Sequence, residues 1–130
     1  MNDLAFVSAA RQLIGTPWRD RGRSLAGVDC LGLIALSARQ CGHDEAFAAL
    51  VGSPRDYHAL KPVMCRFAQR VADVRPGALL IYRREELGIV HVGIASMAGQ
   101  VIHIPGPGHV VSEAPLGFAP RQIWGLTWPS

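Results

Sequence analysis

Arg75-Pro76-Gly77-Ala78-Leu79-Leu80-Ile81-Tyr82-Arg83 divides the chain into two kinds of sequence. Before it, apolar residues recur at helical spacing. After it, short runs rich in β-branched residues alternate with turns built on Gly and Pro. The expected strands are Ala78–Arg83, Ile89–Ser96, Val101–Ile104, Val110–Glu113 and Gln122–Trp128. Helices first and a mostly antiparallel five-stranded sheet second argue for an α+β fold, with the N-terminal helices packed on one sheet face.

Working back from that boundary, residues 3–14 read as a helix. Asp3 caps it, Phe6, Val7, Ala10, Leu13 and Ile14 form its apolar stripe, and Gly15-Thr16-Pro17 stops it. Residues 16–28 read as a loop. Residues 30–41 form a second helix, with Asp29 as N-cap, Leu33, Ile34 and Ala38 on one side and Gly42 at the end. The pattern over 43–62 is ambiguous and admits a short helix through Ala46–Val51. Residues 63–72 suggest a further helix through Val63, Met64, Phe67 and Val71, with Pro62 in its first turn. No internal linker appears, so residues 1–130 are read as a single domain.

The composition supports one folded core. Of 130 residues, 49% are hydrophobic and 18% charged, which argues against disorder. No apolar run reaches the roughly 18 residues of a membrane helix, so no integral membrane segment is expected. Met1-Asn2-Asp3-Leu4 lacks the basic start of a secretory signal, and none is expected. The net charge is +3, and Lys61 is the single lysine among scattered arginines. That pattern reads as a solvated surface rather than a nucleic-acid site, with a mild positive field that helps approach to an anionic polymer. Cys30, Cys41 and Cys65 include no Cys-x-x-Cys pair, so neither a disulfide scaffold nor a thiolate zinc site is expected.

Gly27-Val28-Asp29-Cys30-Leu31-Gly32-Leu33-Ile34 puts a thiol in the first turn of a helix. Backbone N–H groups there lack intrahelical partners and carry the positive end of the dipole, which favours a thiolate. Gly32 is expected to keep the turn uncrowded so that a substrate can reach the sulfur. The Asp29 charge would oppose the thiolate at close range, so it is expected to turn aside, to cap N–H groups or to grip a ligand. A buried cysteine that merely packs remains an alternative for Cys30. It is the preferred reading for Cys41, at a helix end, and for Cys65, read as mid-helix.

A thiol nucleophile needs a base, and the base needs an orienting group. His91-Val92-Gly93-Ile94-Ala95-Ser96 and Val101-Ile102-His103-Ile104 flank Met97-Ala98-Gly99, which reads as a three-residue hairpin loop with Gly99 left-handed. If Ser96 pairs with Gln100, His103 opposes Gly93 and His91 opposes Pro105. Both imidazoles then share one sheet face, on a diagonal about 7–8 Å between backbones. A two-residue loop would place them on opposite faces. The sequence thus permits a triad of Cys30, His91 as base and His103 as orienter. Two structural histidines or a metal pair are the competing readings. No carboxylate or short ligand spacing supports a metal, and no cofactor is expected. His109 is read as surface or rim, and His43 and His58 as surface.

These residues together resemble the NlpC/p-sixty family of papain-like cysteine peptidases over nearly the whole chain. Ile14-Gly15-Thr16-Pro17-Trp18 is similar to the family's opening motif, which usually has Tyr where Trp18 stands. Gly27 through Leu33 is similar to the catalytic cysteine motif. Arg75-Pro76-Gly77-Ala78-Leu79-Leu80 is similar to the step before the core sheet, where Asp is more usual than Ala78. His91-Val92-Gly93-Ile94 and Ile102-His103 match the base and third-residue motifs. The resemblance implies a papain-like fold and hydrolysis of peptide bonds in peptidoglycan stem peptides, with Cys30 as nucleophile, His91 as base and His103 as orienter. It implies substrate contacts at Asp29, matched to a residue that in some members holds the stem peptide's free amine. Trp18 and Leu31, the latter replacing a frequent Ser, are further expected substrate contacts.

The stretch Trp18–Gly32, with Asp56-Tyr57, is most similar to the phage-tail and gene-transfer-agent branch. That resemblance implies a wall hydrolase of a phage tail tip, sited in the virion or in the cytoplasm of the producing bacterium, with tail-tip or baseplate proteins as partners. The alternative is a structural tail-tip subunit whose active site is vestigial or used only on puncture.

Overall fold

The computed structural model describes residues 2–53, 56–84, 89–97, 99–117 and 119–128, and for residues 57, 83, 84, 89 and 90 the backbone alone. Helix α1 (Asn2–Arg11) is followed by a short ribbon of β1 (Arg23–Ser24) and β2 (Gly27–Val28). Helices α2 (Cys30–Gln40), α3 (Asp44–Leu50) and α4 (Tyr57–Met64) come next. Six strands complete the chain: β3 (Ala68–Arg70), β4 (Leu79–Arg84), β5 (Ile89–Ala95), β6 (Gln100–His103), β7 (Ser112–Pro115) and β8 (Gln122–Leu126). They form one sheet in the order β3-β8-β4-β5-β6-β7, antiparallel throughout the described pairs.

Strand alternation splits the sheet into two faces. Leu79, Ile81, Val92, Ile94, Ile102 and Ile104 join the helices in the main core, with Phe6, Leu33, Ile34 and Phe67. Ala78, Leu80, Ala95 and Val101 form a smaller cluster of their own, covered by Tyr82, Leu116 and Ile123. The expected α+β arrangement, with helices on one sheet face, is the arrangement observed.

Helix α2 is central, packed against α1, α3, β1 and β5. Asp29 starts it in an extended conformation, and its side chain accepts from the Gly32 N–H at 2.8 Å. Gly42, at φ +85°, turns the chain away after the end. Nearly every residue from Cys30 to Ala38 is buried, and the one hydroxyl among them, on Ser37, donates to the Leu33 carbonyl at 2.7 Å.

The structure departs from the sequence reading in several places. The sheet has six strands, because Ala68–Arg70 pairs with β8. Of residues 63–72, therefore, only Val63 and Met64 are helical. Helix α4 begins earlier, where the Asp56 carboxylate accepts from the His58 N–H, and it carries Pro62 inside it. Residues 23–28 hold a two-stranded ribbon rather than a plain loop. Ile14 lies beyond the end of α1 and is exposed. His43 is buried, not superficial: its ring accepts from the Ala46 N–H at 3.2 Å and meets the Thr127 carbonyl at 2.7 Å. Cys65 is the C-cap of α4 and is exposed, so packing does not account for it.

Candidate active site

The hairpin β5–β6 has the expected register. Ile94 pairs with Ile102 and Ala95 with Val101, while the Ser96 N–H donates to the Gln100 carbonyl at 3.1 Å. Gly99 closes the loop at φ +75°, a conformation that favours glycine; Ala98 lies outside the described residues. This register puts His91, Gly93 and His103 on one face and their neighbours Val92, Ile94 and Ile102 on the other. A side chain at position 93 would press on a Val101 methyl and on Cβ of His103, so glycine is what allows the strands' side chains to nest there.

The result is a contact between the two imidazoles. His91 Nε2 lies 3.2 Å from His103 Nδ1, with the rings edge-to-face and their centroids 5.4 Å apart. Burial, with the nearby His109 charge second, holds His103 below its ordinary pKa and keeps it neutral. A neutral His103 can offer a Nδ1 lone pair to a Nε2–H on His91. Nδ1 of His91 is then the nitrogen left to handle a further proton. Tyr82 stands opposite His91 on β4, ring centroids 6.0 Å apart, and burial raises its phenol pKa. Tyr82 was not among the residues singled out from sequence, although the β4–β5 register would have placed it there.

Cys30 is the first residue of α2 and is 3% exposed. It belongs to the same buried cluster as Val92, Ile102 and Ile104, the chain neighbours of His91 and His103. The segment before it is held tightly. Arg23 Nη1 donates to Asp29 Oδ1 at 2.6 Å, and the Arg21 N–H donates to Oδ2 at 3.2 Å. Arg21 adopts φ +55°, a left-handed conformation uncommon outside glycine. The guanidinium of Arg23 also donates to the carbonyls of Gly22, Leu50 and Ser53. With side chains only 8% and 1% exposed, Arg23 and Asp29 form a buried ion pair, a type that costs about 3–5 kcal/mol to break from one side.

This packing revises three expectations. Gly32 does not open a path to the sulfur: a Cβ there would collide with the Gly22 carbonyl oxygen, so the glycine serves the close approach of the ribbon to the helix. Both Asp29 oxygens are engaged within the protein and the residue is 1% exposed, which leaves no surface on it for a substrate amine. Leu31 is likewise 1% exposed and lies in the main core with Ile34, Leu50, Met64 and Val92, so its side chain offers a substrate almost no surface. Trp18 is half-buried. It bridges to Val28, and its N–H donates to the carbonyl of the exposed His109, on the stretch that follows β6. Among the described residues no three His, Cys, Asp or Glu side chains come together to hold a metal ion, and no helix is long and apolar enough to cross a membrane.

No protein-family model matches the sequence, and no curated protein sequence matches it. Solved structures do. The NlpC/p60 domain of peptidoglycan hydrolase SagA aligns with a TM-score of 0.67 at 28% identity, over 95% of this chain and 97% of that one. An NlpC/P60 family protein from Bacillus cereus ATCC 10987 aligns with a TM-score of 0.68 at 20% identity, over 93% of this chain and 39% of that one. NlpC1 from Trichomonas vaginalis aligns with a TM-score of 0.65 at 18% identity, over 94% and 44%. The chain thus spans nearly the whole SagA domain and under half of the other two proteins. Its fold is the α+β, papain-like fold of NlpC/P60 domains.

Proposed function

We propose that the chain is a cysteine peptidase that hydrolyses peptide bonds in the stem peptides of bacterial peptidoglycan. The observation that carries this reading is the His91–His103 contact, 3.2 Å between ring nitrogens, in a fold shared over 95% of the chain with the NlpC/p60 domain of a peptidoglycan hydrolase. Cys30 is the nucleophile in this reading. Nδ1 of His91 takes the thiol proton, and His103 accepts the His91 Nε2–H and holds the imidazolium that forms. The thiolate attacks the scissile carbonyl carbon. The Gly32 N–H is committed to Asp29, so the Cys30 N–H is the expected donor to the oxyanion. His91 returns its proton to the departing amine, and water then releases the acyl group from sulfur.

The finer assignment, a phage tail-tip wall hydrolase with tail or baseplate partners, rests on the sequence of Trp18–Gly32 and on Asp56-Tyr57. Digestion of purified peptidoglycan by the wild type and by Cys30→Ala, followed by fragment masses, tests the activity. The wild type should release stem-peptide fragments with a new amino terminus, and Cys30→Ala should release none while staying folded. Undiminished release by Cys30→Ala overturns the proposal.

A further inference from the structure

The buried ion pair next to Cys30 raises a question of charge. An Asp at the N-cap stabilises a helix, but here the carboxylate immediately precedes the residue proposed to work as a thiolate. Like charges at that range disfavour the second ionisation. Asp29 is 1% exposed, so water does little to screen it. Its Oδ1 accepts from both the Gly32 N–H at 2.8 Å and Arg23 Nη1 at 2.6 Å.

We propose that Arg23 is a positioning residue for Cys30: it neutralises Asp29, so that a carboxylate can cap α2 without opposing the thiolate one residue on. The proposal rests on the reading of Cys30 as nucleophile. Arg23 is built in for this task. Its Nη2 and Nε hold the Ser53 and Leu50 carbonyls, its Nη1 also holds the Gly22 carbonyl, and its side chain is 8% exposed. The guanidinium therefore cannot swing away to solvent without losing all of these bonds, and its charge is fixed beside the cap. The other charged groups on the segment leading into α2 are Arg19, Asp20 and Arg21, all exposed, and β5, the strand against which α2 packs, carries His91.

Charge reversal of the effect distinguishes this role from a purely structural one. The pH dependence of iodoacetamide alkylation at Cys30, read by peptide mass spectrometry on the full chain, is the measurement, with the exposed Cys65 as internal reference. In the wild type, Cys30 should react faster than Cys65, with a midpoint below that of a free thiol at about 8.5. Arg23→Gln should raise that midpoint by about one pH unit or more. Asp29→Asn, which keeps a capping side chain, should lower it, and the double variant should return close to wild type. If Arg23→Gln does not fold, the downward shift in Asp29→Asn and the recovery in the double variant still decide. An unchanged or raised midpoint in Asp29→Asn, or a rise in Arg23→Gln that persists in the double variant, overturns the role of Arg23 and leaves the nucleophile reading standing. Wild-type Cys30 reacting no faster than Cys65 overturns both.

Discussion

His91 Nε2 and His103 Nδ1 are 3.2 Å apart across adjacent antiparallel strands, close enough for one proton to be shared in one direction. In the proposed mechanism His91 donates and His103 accepts. A neutral His103 presenting its Nδ1 lone pair holds His91 in the tautomer whose Nδ1 can accept from a thiol. His103→Ala should therefore cut kcat/KM on stem peptides by about a hundredfold or more. His103→Asn, which can still accept a hydrogen bond, should retain more activity than His103→Ala. Steady-state kinetics on a defined stem peptide checks the ranking, and equal activity in all three proteins would remove His103 from the mechanism.

The burial of His103 makes stability depend on pH. The pKa of folded His103 lies below the ordinary value of 6.5, so the unfolded chain takes up the proton first as pH falls. The stability this group contributes is present above about 6.5 and is lost as pH drops through the lower, folded value. Glu113, held down by the Arg11 and then the Ser96 hydrogen bonds, contributes above 4.5 and loses its share only below that. Urea unfolding at pH 7.5, 6 and 5 should show a steeper fall for wild type than for His103→Asn. Parallel curves would contradict it.

The parts of the site written in local chemistry were legible in the sequence. Asp29 before an apolar helical stretch predicted the cap, and the three-residue loop with Gly99 predicted the register that joins His91 to His103. What was not legible depends on partners distant in the chain. A three-residue strand at Ala68–Arg70 is too short to show alternation, and it is a strand because β8 is there to pair with it. His43 looked superficial because its partner, the Thr127 carbonyl, is 84 residues away. The contacts of Arg23 are of the same kind, since its acceptors at Leu50 and Ser53 belong to the end of α3 and the loop after it.

Gly32 offers a test in which local propensity and packing have opposite signs. Replacing a helical glycine by alanine ordinarily gains up to about 1 kcal/mol. Here the added methyl meets the carbonyl of Gly22, the residue just before the ribbon, which also accepts from Arg23 and cannot move without disturbing the Arg23–Asp29 pair. Gly32→Ala should therefore lower stability by about 1–3 kcal/mol, as overpacking does. Chemical denaturation measures it, and a neutral or stabilised variant would show that the ribbon yields.

His43 ties the end of the chain to the helical layer. Its ring caps α3 through the Ala46 N–H and holds the Thr127 carbonyl at 2.7 Å, and it packs against Trp128 with centroids 5.1 Å apart. Trp128 in turn donates from its indole to Asp3 Oδ1 at 2.8 Å and meets Phe6 edge-on. Accepting from Ala46 with one ring nitrogen and donating to Thr127 with the other requires the neutral ring with its proton on Nε2. His43→Leu fills the volume but supplies neither bond, leaving one capping N–H and one carbonyl without their partner. The expected loss is about 2–4 kcal/mol in urea unfolding. Amide exchange should rise at Ala46 and over residues 126–128, while the protection of β5 and β6 stays as it is. Uniform loss of protection across the sheet would mean that this clamp is part of the global core and not a local fastening of the C-terminal segment.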